Sequence, residues 1–393
     1  MVRNVLLWIL APAVALAGDF NGAWDGFVAT NAARIPFRME VSESPARVCF
    51  FEDTQPVCSS TAHIDGAKLT AKWDYLNSQL ELAAAGGTLS GTYVNLRTHR
   101  ELKIEAQAHQ AEAPPREAPA QFGGEWEVHS EQRPGPGNHL ILRQSGTGLK
   151  GTILRIDGDD GTLVGRVDGK HFAISHFSGD RPMLLTGTLQ ADGTIAMQSG
   201  AQKLVALRPA EARARNLTPP LDPMTYAHVK DPAERFHFSF KDVDGKTYTE
   251  DNFAGKPYVV SITGSWCPNC RDEAPFLAEL YRTYHPKGLE MAAFCFEAAG
   301  DPTYAPLRAF VRKFHVAYPA LIAGEPTAGV LKTAVPQIEN LSAYPTSIYV
   351  GKDGRVREVH TGFPSGGSGE ELARVKAEIR ETIEGMLAEK PGR

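Results

Sequence analysis

Cys267 and Cys270, in Trp266-Cys267-Pro268-Asn269-Cys270, have the types and spacing best suited to chemistry in this chain. Two thiols at i and i+3 on the first turn of a helix lie close enough to close a small disulfide ring. The first of them sits where unpaired backbone N–H groups and the helix macrodipole favour negative charge. A free thiol with pKa ~8.5 is about 3% ionised at pH 7, whereas one lowered to ~7 is about half ionised. The thiolate is the attacking species, so this placement turns an inert pair into a redox couple. The elements that must supply the placement are readable on both sides. Tyr258-Val259-Val260-Ser261-Ile262 reads as a buried strand leading directly into the pair, and a helix is predicted from near Cys267 through Pro275 to about His285.

Other chemistries for the same pair fit less well. A c-type haem site needs His after the second cysteine, and Arg271 stands there. Structural zinc wants four ligands, and there is no second paired-cysteine motif. A peroxiredoxin would carry Thr three residues before its reactive cysteine in a Pro-led loop, but Gly264 holds that position. No metal and no cofactor is therefore expected. Cys295, within the apolar run Met291 to Phe296, reads as a small buried hydrophobe. His285, His315 and His360 are scattered and read as surface or satisfied core. Gly366-Gly367-Ser368-Gly369 lacks the Lys-Ser/Thr of a phosphate loop and reads as a lead into the last helix.

A chain of 393 residues with 42% hydrophobic and 22% charged residues suggests two or three globular domains. The net charge of −5 gives no basic excess to hold nucleic acid. Arg3, the apolar run Val5 to Ala17 and the small-residue site Ala15-Leu16-Ala17 form a secretory leader, too short to span a bilayer. Cleavage after Ala17, an exported (periplasmic or secreted) product and no stable membrane insertion are expected; an uncleaved N-terminal anchor is the other reading. Residues 18–105 form a first β-rich unit, 106–120 a Pro-rich linker, and 121–210 a second β-rich unit marked by Asp157-Gly158, Asp168-Gly169 and Asp192-Gly193. Phe20-Asn21-Gly22-Ala23-Trp24 returns as Phe122-Gly123-Gly124-Glu125-Trp126, and Gly87-Thr88-Leu89 as Gly187-Thr188-Leu189, each about 100 residues later, which suggests duplicated antiparallel units. Two small barrels and one joint sandwich both fit. Cys49 and Cys58 flank a hairpin centre and read as a stapling disulfide, or as two unpaired thiols. Residues 211–230 form a second linker. From 231 to 393 strands alternate with helices, ending in an amphipathic helix through Leu372, Val375, Ile379, Ile383 and Met386, the pattern of an α/β unit.

From about Asp231 onward the chain resembles the exported, thioredoxin-fold disulfide oxidoreductases of the TlpA/ResA type. The residues that carry the resemblance are Asp244-Gly245-Lys246, Asp251 to Lys256, Trp266 to Cys270, Glu273-Ala274-Pro275, Tyr344-Pro345-Thr346 and Asp353-Gly354. It covers about two-fifths of the chain and does not reach the β-rich units. The resemblance implies that Cys267 is an exposed nucleophile and Cys270 the resolving thiol. It implies that Pro345 is cis and presents a backbone edge to an extended substrate, with Trp266 and Tyr344 beside it. Glu273 is either a group that takes the proton of Cys270 or a first-turn carboxylate facing the helix dipole. Pro268 directly follows Cys267, whereas many members place Pro before the second cysteine. Ser261 stands where thioredoxin has a buried Asp. The stretch from Gly324 to Leu341 is longer than a minimal thioredoxin needs and is expected to border the substrate groove. Partners implied are a protein disulfide and an upstream electron donor. The alternative is a binding protein whose β-rich region recognises a partner, with the thioredoxin unit as accessory.

Overall fold

The strand Arg34–Glu43 buries Ile35, Phe37, Met39 and Val41 and leaves the residues between them outside, the two-residue period of a sheet with one dry face. In the computed structural model, which describes residues 20–110, 116–327 and 329–390, nine such antiparallel strands between Gly22 and Ala108 form one curved open sheet. It folds around Phe50, Trp73, Tyr93 and Leu80 as a half-barrel. Cys49 and Cys58 face each other on the adjacent strands Ala46–Glu52 and Gln55–Cys58 and are bonded. The leader at residues 1–17 lies outside the described residues, as do five residues of the first linker.

A second nine-stranded sheet runs from Gly124 to Leu207. Pairing of Asn138–Ser145 with both Gly124–Ser130 and Gly148–Arg155 closes it into a barrel around Phe122, Trp126, Leu140 and Phe172. The repeated Phe…Trp segment does the same job twice. Trp24 donates its indole N–H to the carbonyl of Phe20, and Trp126 to that of Phe122, both at 2.8 Å. The two units are separate sheets, not the halves of a single sandwich. They are joined by Phe177 of the barrel, which inserts into the half-barrel core against Phe37, Phe50 and Tyr93.

The C-terminal unit is a seven-stranded mixed sheet. Its order is Thr247–Thr249, Ser239–Asp242, Ala320–Gly324, Glu290–Phe296, Tyr258–Thr263, Thr346–Val350 and Val356–Thr361. The three central strands are parallel, and Tyr258–Thr263 and Glu290–Phe296 are buried on both faces, which is why those two read as unbroken apolar runs. One face is covered by the helices Pro268–Tyr284 and Glu370–Ala388 through Phe276, Leu280, Val375, Ile379 and Ile383. The other is covered by Phe236, Phe238, Phe253, Leu331, Val335 and Ile338. The stretch from Gly324 to Leu341 turns its apolar side chains into this second face, and the border of the dithiol site is made by the β-rich units instead. The fold is thus an all-β region of two antiparallel units followed by a thioredoxin-like α/β domain.

Candidate active site

The dithiol is positioned by a strand that ends and a helix that starts within five residues. Tyr258–Thr263 delivers the chain to the sheet's edge, Gly264 and Ser265 turn it, and Pro268 opens the helix at its first position. Cys267 is the N-cap: its sulfur accepts a hydrogen bond from the backbone N–H of Cys270 at 3.2 Å. The two cysteines are bonded, with Cα atoms 5.2 Å apart. Trp266 is tied down by donating to the carbonyl of Phe296 at 2.8 Å, and it packs edge-on against Tyr344 at 5.1 Å between centroids. The Tyr344–Pro345 peptide is cis, and the carbonyl of Pro345 accepts from the N–H of Gly362 at 2.8 Å. Ser265 donates both its N–H and its hydroxyl to Glu297, each at 2.7 Å, bracing the turn before the motif.

Glu273 lies under the motif, 2% exposed, and accepts from the hydroxyls of Ser347 at 3.1 Å and Ser261 at 3.3 Å. Burial pushes its carboxyl up to about 7, and the two serine hydroxyls only partly offset that. Among the described residues it faces no counter-ion, and it lies beyond the helix's first turn, so it is not a carboxylate facing the helix dipole. Behind Cys270 is a small cavity of about 10 Å³. Its walls include Ser261, Cys270, Glu273, Cys295 and Tyr318. Burial pushes the Cys295 thiol well up, which leaves it inert at neutral pH. His360 is buried and its imidazole is pushed down to about 4 by that burial; His285 and His315 are exposed.

One expectation fails in the structure. Cys267, which the resemblance makes an exposed nucleophile, is 4% exposed, and Cys270 is 1% exposed. Asn269, between the two cysteines, donates its amide to the carbonyl of Asp157 at 2.7 Å and accepts from Arg181. Both partners are barrel residues. Arg271 is 7% exposed and is held by Asp180 and, at 3.3 Å, by Glu52 of the half-barrel. Arg181 also reaches Asp272 at 3.1 Å. Glu52 in turn accepts from Ser178 at 2.5 Å. Burial would raise Asp180, but Arg271, His176 and Arg181 outweigh it and hold the carboxyl well below its usual range. Asp272 is pushed up to about 7 by burial, which the attraction of Arg181 only partly offsets. These charged residues were not singled out in the sequence. Arg271 and Asp272 fall within the predicted helix with no pattern to set them apart, and nothing local marks their partners.

Among the described residues no cluster of side chains is arranged to hold a metal ion, and no helix is long and apolar enough to cross a membrane. What the fold and site define is a thioredoxin-like domain with a dithiol at a helix N-terminus, carrying two β-rich units ahead of it. Residues 228–378 match the family described as Redoxin. The same part is similar to the thiol-disulfide oxidoreductase ResA of Bacillus thuringiensis subsp. konkukian, at 30% identity over 120 residues, 30% of this chain and 63% of that protein. It is also similar to the thioredoxin-like protein YneN of Bacillus subtilis, at 26% identity over 125 residues, 32% of this chain and 68% of that protein. The chain thus spans about 63% of the length of the ResA relative. Among solved structures, a putative thiol:disulfide interchange protein DsbE from Chlorobium tepidum matches with 17% identity and a TM-score of 0.31, covering 39% of this chain and 98% of that one.

Proposed function

We propose that the protein is an exported thiol–disulfide oxidoreductase that reduces disulfides in extracytoplasmic proteins through Cys267 and Cys270. The observation that carries this reading is the seat of the pair: Cys267 caps the helix, its sulfur receives the Cys270 N–H, and the Tyr344–Pro345 loop lies alongside. The similarity to proteins named thiol-disulfide oxidoreductases supports the same chemistry, and does not favour the accessory-domain alternative. Export rests on the leader pattern of residues 1–17.

In the reaction, the Cys267 thiolate attacks one sulfur of a foreign disulfide and expels the other as a thiolate. The Cys270 thiolate then attacks the Cys267 sulfur, releasing the second substrate thiol and closing the Cys267–Cys270 disulfide. Two electrons pass to the substrate, and an upstream dithiol donor restores the pair. Glu273 would take the proton of Cys270 across the small cavity that both residues line. Trp266, Tyr344 and Pro345 would form the docking edge. The test is Cys270→Ser, which removes the resolving thiol. Expressed in cells, it should accumulate mixed disulfides through Cys267; recovery of no adducts under conditions where Cys267 is alkylatable would overturn the reading.

A further inference from the structure

The barrel does more than stand next to the thioredoxin-like domain. Its segment Asp157-Gly158-Asp159 packs against Asn269 of the dithiol motif and against the strand end from Gly362 to Ser365. Asp157 accepts from Asn269 of the motif, and Asp159 accepts from the backbone N–H of Ser365 at 2.7 Å. Gly158 fits the narrow space between them. A Cβ there would clash with the side-chain amide of Asn269 and stand 3.0 Å from the carbonyl of Phe363, and its φ of +118° already favours glycine. Across the gap, a Cβ on Gly362 would stand 2.5 Å from the N of Gly158. Gly362 is the residue whose N–H holds the carbonyl of Pro345. The segment therefore touches both the motif and the strand end beside the Pro345 loop.

The chemistry of this contact differs from that of the aromatic contacts between the units. The half-barrel and barrel are joined by aromatic packing at Phe177, and the half-barrel meets the thioredoxin-like domain through Tyr75 against Phe314. Around the dithiol the contact is ionic: Arg271 with Asp180 and Glu52, and Arg181 with Asp272. Charges withdrawn from water regain their hydration when such a contact opens, which offsets much of the lost attraction; an apolar contact has no such return. An attacking thiolate must be reached by the disulfide it attacks, and at 4% exposure Cys267 is not reachable by a protein.

We propose that Asp157–Asp159 is an intrachain occupant of the substrate face, latched by the Arg181 and Arg271 ion pairs, and that a protein disulfide reaches Cys267 only when this segment lifts. The inference rests on the dithiol reading for its consequence alone, because access can be measured without turnover. The experiment reduces the full chain and measures labelling of Cys267, by peptide mapping, with N-ethylmaleimide and with a 5-kDa polyethylene-glycol maleimide, whose reactive groups are the same. The large-to-small rate ratio in the folded protein is expected to lie at least about tenfold below that of the denatured chain. Gly158→Val, which wedges the contact, and Arg181→Gln, which cuts the latch, should each return the ratio toward the denatured value while circular dichroism shows the fold retained. A wild-type ratio equal to the denatured one overturns the proposal with no variant needed. So does an unchanged ratio in whichever variant folds. Trapping by Cys270→Ser fails or succeeds independently of either result.

Discussion

Replacing Glu273 by Gln should make the protein more stable at alkaline pH and leave it unchanged in acid. The carboxyl is buried against two serine hydroxyls with no cation facing it, and burial lifts its pKa from the usual 4.5 to about 7. A carboxyl raised in the folded state binds its proton more tightly there than in the unfolded chain. The stability this contributes is fully present below about pH 4.5 and is lost as pH rises through about 7. At 1.36 kcal/mol per pH unit, the interval from 4.5 to about 7 corresponds to about 3 kcal/mol. Glutamine keeps the shape and one acceptor and never ionises, so Glu273→Gln is spared that loss. Urea denaturation of the oxidised proteins at pH 4 and pH 8 measures it. The variant-minus-wild-type difference should be about 3 kcal/mol more favourable at pH 8 than at pH 4. Asp272 also titrates near 7, but it does so in both proteins and cancels in the difference. A difference that is the same at both pH values would refute the assignment of a buried, proton-holding carboxyl under the dithiol.

Replacing both Cys49 and Cys58 by Ser opens a small loop in the half-barrel and should lower its stability by about 2–3 kcal/mol on the chain-entropy account, measured by denaturation. The same double variant should reduce insulin disulfides as the wild type does, because that bond lies outside the C-terminal sheet. Phe177→Ala empties a site where four aromatic rings meet and should cost about 3–5 kcal/mol, with limited proteolysis cutting the half-barrel and barrel together. Cys295→Ala removes a buried, inert thiol and should leave the rate of insulin reduction unchanged.

The reduction chemistry and the closed face bear on each other. On the proposed reading, a redox couple whose motif is held by the chain's own β-rich region would select against casual partners, since a substrate would compete with Asp157–Asp159 for the same surface. The β-rich units are then part of the site, although the strongest sequence signals all lie in the C-terminal domain.

What the sequence by itself determined is what local pattern encodes. Tyr258 to Ile262 is apolar on both faces because parallel central strands are covered twice, and Pro268 after Cys267 marks a helix start. The turns Asp157-Gly158, Asp168-Gly169 and Asp192-Gly193 and the repeated Phe…Trp segments told of antiparallel β units. The tertiary structure alone decided that the units form a half-barrel and a barrel, because curvature and closure depend on which edge strands meet. It alone decided that Cys267 is covered. Arg271 and Glu52 are 219 residues apart and Asn269 and Asp157 are 112 apart, and no periodicity links residues on units that meet only when docked. An arginine after a cysteine looks like any solvated helix residue until the carboxylates that desolvate it arrive from another sheet.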